Sequence, residues 1–216
     1  MKTILISIAL IFSTLTGISQ SSEFAGAMGE ALGQFASCKS VSDYQAAGNR
    51  FSLIAGTEKK EWLPYYYHSF CYIMMSFMEP TDVAKKDSYL DEAEKSFAKM
   101  IELAPKESEI YALQSMFYSA RLMVNPMERG RQYSTLSAQA VGTALGLDAA
   151  NPRAKFIKLR NDMGSAQFFG RDPNEYCPDA EELLASWDNY KVKSPIYPNW
   201  GKDQVAAIVN ECKAGK

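Results

Sequence analysis

The 216-residue chain holds one histidine and four cysteines, with no Cys-x-x-Cys pair among them. These shortages exclude the usual zinc arrangements, which gather cysteine and histidine at short spacing, so no metal site is expected. An excess of one charge is missing too, since 23 Lys and Arg stand against 25 Asp and Glu for a net charge of -2. That balance offers no broad basic surface to a phosphate backbone, and no nucleic acid partner is expected. Strand formers are few: beyond residue 19 there are 25 Ala against 7 Val, 7 Ile and 4 Thr, and no segment alternates apolar and polar for long. The composition therefore predicts helices.

Catalytic equipment is equally sparse. His68 lies between Tyr67 and Ser69 with no motif that would supply a general base with its orienting partner. The carboxylates Asp91, Glu92, Glu94, Glu181 and Glu182 fall on solvent-facing helix positions. Gly26, Gly29 and Gly33 follow no strand and make no phosphate loop. The sequence is thus expected to be no enzyme and to need no cofactor.

The chain opens with Met1-Lys2, an apolar run from Thr3 to Leu15, and Gly17-Ile18-Ser19, with small residues at 17 and 19, before Gln20. That order is the pattern of a secretory signal peptide over residues 1–19, and the apolar run is shorter than the ~20 residues a spanning helix needs. No cysteine occurs before Cys38, so a lipid anchor just after the signal is not expected. Cleavage would leave 197 residues with a net charge of -3 and no membrane span, in the periplasm or outside the cell.

Hydrophobic periodicity and breakers divide residues 20–216 into helical segments near 22–37, 41–56, 61–78, 87–103, 107–124, 130–147, 152–168, 178–190 and 201–213. Glu79-Pro80, Asn125-Pro126, Asn151-Pro152, Asp172-Pro173 and Ser194-Pro195 all fall between segments. A pattern of one small and two larger residues then recurs. It reads Ala47, Phe51, Ile54; Ala93, Phe97, Met100; Ser137, Val141, Ala144; and Ala180, Leu184, Trp187, at spacings of 46, 44 and 43. Each triple shares one helix face, so the pattern predicts a single domain of stacked antiparallel hairpins.

The cysteine number is even, and an exported protein meets an oxidising compartment. Of the three connectivities, Cys177 with Cys212 fits best, because one opens the helix at 178–190 and the other ends an antiparallel neighbour. That bond would tie down a capping helix near 201–213. Cys38 and Cys71 are left without an evident pairing.

The segment from Tyr89 to Pro105 resembles the second helix of a tetratricopeptide repeat, with Ala93, Phe97 and Pro105 in that family's places. Tyr65, Ser69 and Tyr72, and then Tyr111, Ser115 and Tyr118, match its first helix. The third copy keeps Ala144 to Asp148, with its proline late at Pro152. The resemblance spans roughly 41 to 191, and the period exceeds the family's ~34 residues because loops such as Pro80 to Lys86 are inserted. It implies an all-α solenoid whose concave groove binds a peptide or protein partner, in the manner of a scaffold. In that register Leu63, Tyr66, Phe70 and Met74 turn toward the groove, with Glu109, Ala112, Met116 and Arg121 beside them. The strip would instead be core if the helix at 22–37 or a loop covered it. Two aromatic elements with proline, Trp62 to Tyr67 and Tyr197 to Gly201, are expected to staple helix entries by packing; the alternative is a binding surface for a small ligand or glycan through Trp62, Tyr66, Tyr197 and Trp200.

Overall fold

A computed structural model describes residues 22–215, which are helical and contain no strand. The expected signal peptide at 1–19 lies outside the described residues. The helices are α1 (Ser22–Ala36), α2 (Val41–Thr57), α3 (Leu63–Met78), α4 (Val83–Glu94), α5 (Phe97–Leu103), α6 (Ser108–Val124), α7 (Pro126–Leu147), α8 (Pro152–Phe168), α9 (Cys177–Ser186) and α10 (Lys202–Ala214). Short 3-10 turns at Pro173–Tyr176 and Trp187–Asn189 flank α9.

Local chemistry sets most of these boundaries. Ser40 and Asp43 form a reciprocal capping box at the start of α2. Asn125 and Asn151 cap α7 and α8, each followed by a proline whose missing N–H falls where the helix needs no donor. One expected helix, 87–103, departs from the pattern. It begins early, at Val83, because Asp82 accepts a hydrogen bond from the Lys85 amide. It then breaks into α4 and α5 at Lys95 and Ser96. Ser69 of α3 donates to the Ala93 carbonyl at 2.6 Å, taking over an acceptor of the helix ladder, and Ser96 turns inward to His68.

The helices pair as antiparallel hairpins, α3 with α4, α6 with α7, and α8 with α9, while α2 packs against α3 and α10 against α9. The first helices of these pairs run parallel. The Arg153–Glu109 contact joins the starts of α8 and α6, and Asn161 meets Ser119 farther along both. Eleven of the twelve repeat positions are buried and Leu184 is half-buried, so the small-large-large pattern does mark the seam between helices. Between α6, α7 and α8 the seam is polar: Ser115, Ser119, Ser137 and Asn161 bond one another at 2.8 to 3.4 Å. The disulfide joins Cys177 to Cys212 as expected, whereas Cys38 and Cys71 are free thiols.

Beyond α9 the chain from Tyr190 to Gly201 is irregular and enters α10 through Gly201, whose φ of 109° lies in the left-handed region. A Cβ there would sit 2.7 Å from Trp187 Cη2, so both backbone and space require glycine. Gly201→Ala is expected to lower stability by about 2 kcal/mol, read from the urea midpoint; an unchanged midpoint would mean that Trp187 has free room to shift.

Candidate functional site

The concave strip expected to receive a partner is closed by the protein itself. Leu63, Tyr66, Phe70, Glu109 and Met116 are buried and Met74 is half-buried. Ala112 is also buried, and Arg121 points away to an ion-pair cluster with Asp87, Asp91 and Glu94. Two elements do the covering. Phe35 of α1 packs against Tyr67 and Phe70, with ring centroids 5.7 and 5.3 Å apart. From the other side the Tyr190 to Gly201 segment lies across α3 and α6. Tyr67 donates to the Ile196 carbonyl at 3.2 Å, and Trp200 Nε1 donates to the Tyr66 hydroxyl at 2.8 Å. Both Tyr197 and Lys193 bond Glu107 at 2.6 Å. Burial pushes the Tyr66, Tyr67 and Tyr197 hydroxyls up, and Glu107 adds to the rise at Tyr197, so all three stay protonated.

The two aromatic elements, more than 120 residues apart in sequence, thereby become one cluster. Trp62 meets Tyr66 and Tyr197 edge-on at 5.7 and 5.4 Å, and Trp200 tilts over Phe70 at 5.1 Å. Trp62, Tyr197 and Trp200 keep part of their surface in solvent, so their bodies serve packing while their edges border the open surface.

Beside this cluster lies a cavity of about 470 Å³ between the start of α8 and the irregular segment. Pro152, Trp187 and Val192 supply apolar wall, and Lys191 and Lys202 stand on the rim. Asp188 holds both cations, its carboxylate accepting from Lys202 at 2.6 Å and its carbonyl from Lys191 at 3.0 Å. The floor is Arg153, fully buried and bonded through Nε and Nη2 to the equally buried Glu109, with distances of 2.5 to 2.9 Å. Its guanidinium lies 5.1 Å from the centroid of Tyr190, whose hydroxyl donates to Asp148 at 2.9 Å. Burial raises the Glu109 carboxyl, opposed by the bonds from Arg153. Arg153 also feels burial, but the Glu109 bonds outweigh it and hold the guanidinium charged. Cations around an apolar wall suit a ligand with a flat apolar body and acidic side arms. Lys191 and Val192 escaped the sequence reading because their segment has no helical period, its only signal being lysines alternating with aromatic and apolar residues; Tyr190 and Lys202 fall at the ends of the expected helices 178–190 and 201–213, where nothing local marks them as lining a cavity.

His68 is not placed to bind a ligand. It is buried, Nδ1 lies 3.0 Å from Ser96 Oγ, and Nε2 faces Glu92 at 3.8 Å. Burial lowers its pKa, against the pull of Glu92, and keeps the ring neutral. Among the described residues no three His, Cys, Asp or Glu side chains gather as a metal site, and no helix is long and apolar enough to cross a membrane.

No family model matches the chain, the tetratricopeptide repeat included, and no curated protein matches it. A solved structure does: the HusA haemophore from Porphyromonas gingivalis is 31% identical, with a TM-score of 0.77, over 91% of this chain and 96% of that one. At that identity over nearly the whole of both chains, this protein belongs to the family of HusA. A haemophore binds and carries, so the expectation of a protein without catalysis agrees with the family.

Proposed function

From that family membership we propose that this protein is an exported, non-catalytic carrier of haem or a closely related tetrapyrrole, held at the cavity between α8 and the Tyr190 to Gly201 segment. The observation that carries the reading is the 31% identity to a haemophore across nearly the full length of both proteins. The cavity residues fit such a ligand. Pro152, Trp187 and Val192 offer apolar surface to the ring, and Lys191 and Lys202 offer charge-assisted hydrogen bonds to its two carboxylates. The chain's one histidine points into the protein, so most of the affinity comes from apolar contact and the carboxylates rather than from the iron. The protein partner first expected in the groove has no such support, because a peptide there would have to displace Trp200, Tyr197 and Phe35.

Titration of the protein with haem, followed by tryptophan fluorescence and by the haem absorption band, is expected to show saturable binding. Metal-free protoporphyrin should bind within about threefold of haem, a difference under 1 kcal/mol. Lys191→Gln with Lys202→Gln should weaken both ligands about tenfold, which is roughly 1.4 kcal/mol for two exposed charge pairs. Unsaturable quenching for both ligands would overturn the function. Normal affinity in the lysine variant would move the site elsewhere.

A further inference from the structure

The charged groups that face the cavity between α8 and the irregular segment are paired, but unequally. On the floor, the Arg153 guanidinium is bonded to Glu109, and the Tyr190 hydroxyl to Asp148. On the rim stand Lys191, Lys202 and Asp188, beside the neutral Asn199. Asp188 Oδ2 accepts from Lys202 Nζ at 2.6 Å, an ion pair that joins the turn after α9 to the first residue of α10. Lys191 meets only the Asp188 backbone carbonyl, at 3.0 Å, and enters no ion pair among the described residues.

That difference decides what each lysine can give a ligand. Bonds between two charged groups are roughly twice as strong as bonds between neutral ones. Lys202 must surrender a carboxylate before it can take another, so the exchange gains little. Lys191 surrenders only a neutral carbonyl and keeps most of the gain. Two cations and one carboxylate also leave the rim with a single net positive charge, less than a ligand with two carboxylates would match.

We infer that Asp188 masks Lys202 and competes with one carboxylate of the ligand, so that Lys191 carries most of the charge recognition and Asp188 sets how tightly the cavity holds its load. This rests on the tetrapyrrole reading of the cavity and refines it, because the two lysines are not equivalent. The consequence for a carrier is release. As the ligand leaves, Asp188 re-forms its bond to Lys202, and no unpaired cation is left on that side of the rim. Asp203, one residue beyond Lys202, carries the same charge but does not line the cavity.

The test is a set of protoporphyrin titrations at about 0.15 M salt. Lys191→Gln should weaken binding about fivefold and Lys202→Gln about twofold, which together make the tenfold of the double variant. Asp188→Asn should tighten binding about threefold by freeing Lys202, and in that background Lys202→Gln should cost about fivefold, as for an unmasked lysine. Asp188→Asn should therefore change almost nothing once Lys202 is gone. Asp203→Asn adds the same charge outside the cavity and should stay within about 1.5-fold of wild type. The Asp188 and Lys202 side chains are 78% and 44% exposed, so these variants should keep the wild-type urea midpoint. Equal losses for the two lysine variants would overturn the masking. So would an Asp188→Asn gain that persists without Lys202 or that Asp203→Asn matches, since either would mark a general effect of charge. Wild-type protein without saturable protoporphyrin binding would overturn the carrier function and the masking together, whereas saturable binding with equivalent lysines would overturn the masking alone.

Discussion

Replacing Arg153 with methionine is expected to lower stability by about 3–5 kcal/mol, the usual loss when one partner of a buried ion pair is removed. Arg153 and Glu109 are both fully buried, and Arg153 is the cation bonded to the Glu109 carboxylate. Without it, a charge stays in the interior beside Tyr66 and Tyr67, or the carboxyl takes up a proton. Glu109 already has a pKa raised by burial, so the folded protein binds this proton more readily than the unfolded chain. For a group shifted that way, stability falls as pH rises through the window between the ordinary and the raised value. In Arg153→Met the opposing bonds are gone and the window widens upward. The variant should therefore recover part of the loss when urea unfolding is repeated at about pH 5 instead of about pH 8, whereas the wild type should change less. Glu109→Leu combined with Arg153→Met should restore most of the stability, because an apolar pair leaves no buried charge. A single variant within about 1 kcal/mol of wild type at both pH values would show that water reaches Glu109 through the cavity.

The helices were legible because their signals are local. Proline after asparagine at Asn125 and Asn151 and the small-large-large triples each act within a few residues, and each stands in the structure where the chain order places it. The disulfide was legible for the same reason, since it needed only two adjacent antiparallel helices. Even the misread break at Ser96 comes from outside its own helix, through the hydroxyl of Ser69 and the ring of His68.

The candidate site was harder to see because it is built from contacts that no local pattern encodes. Trp62 and Trp200 were both picked out as aromatics, but only the fold brings Trp200 to Tyr66, 134 residues away along the chain. Leu63, Tyr66 and Phe70 were placed on the correct helix face, yet that face is core, since the irregular segment from Tyr190 and Phe35 of α1 meet over it. A segment without helical period carries no register in its sequence, so neither its path across α3 nor the cavity it leaves beside Arg153 follows from spacing. The Glu109–Arg153 pair was hidden likewise. Both residues occupy ordinary positions in amphipathic helices, 44 residues apart, and only burial distinguishes them from surface charges.

Removing the disulfide by Cys177→Ser with Cys212→Ser is expected to lower stability by about 4 kcal/mol, since the bond closes a loop of 35 residues that the unfolded chain would otherwise leave free. That is a large share of the 5–15 kcal/mol typical of a domain, and for a protein of this size it corresponds to roughly 10 °C in melting temperature. The consequence reaches the ligand cavity. The bond fastens the end of α10 to the start of α9, and α10 contributes Val205, Ile208 and Val209 to the core and Lys202 to the cavity rim. With the bond cut, α10 and the segment before it can separate locally at a lower free energy than the rest of the hairpins, exposing amides from Val205 to Cys212 to hydrogen exchange. Tetrapyrrole affinity should fall with that opening, because the rim cation then spends part of its time away from the site. A reducing agent should produce the same loss in the wild type and none in the double variant, which separates bond cleavage from side effects of serine. If exchange in α10 and the urea midpoint are both unchanged after reduction, the apolar contacts of α10 alone hold the cap, and the bond does not stabilise the folded chain.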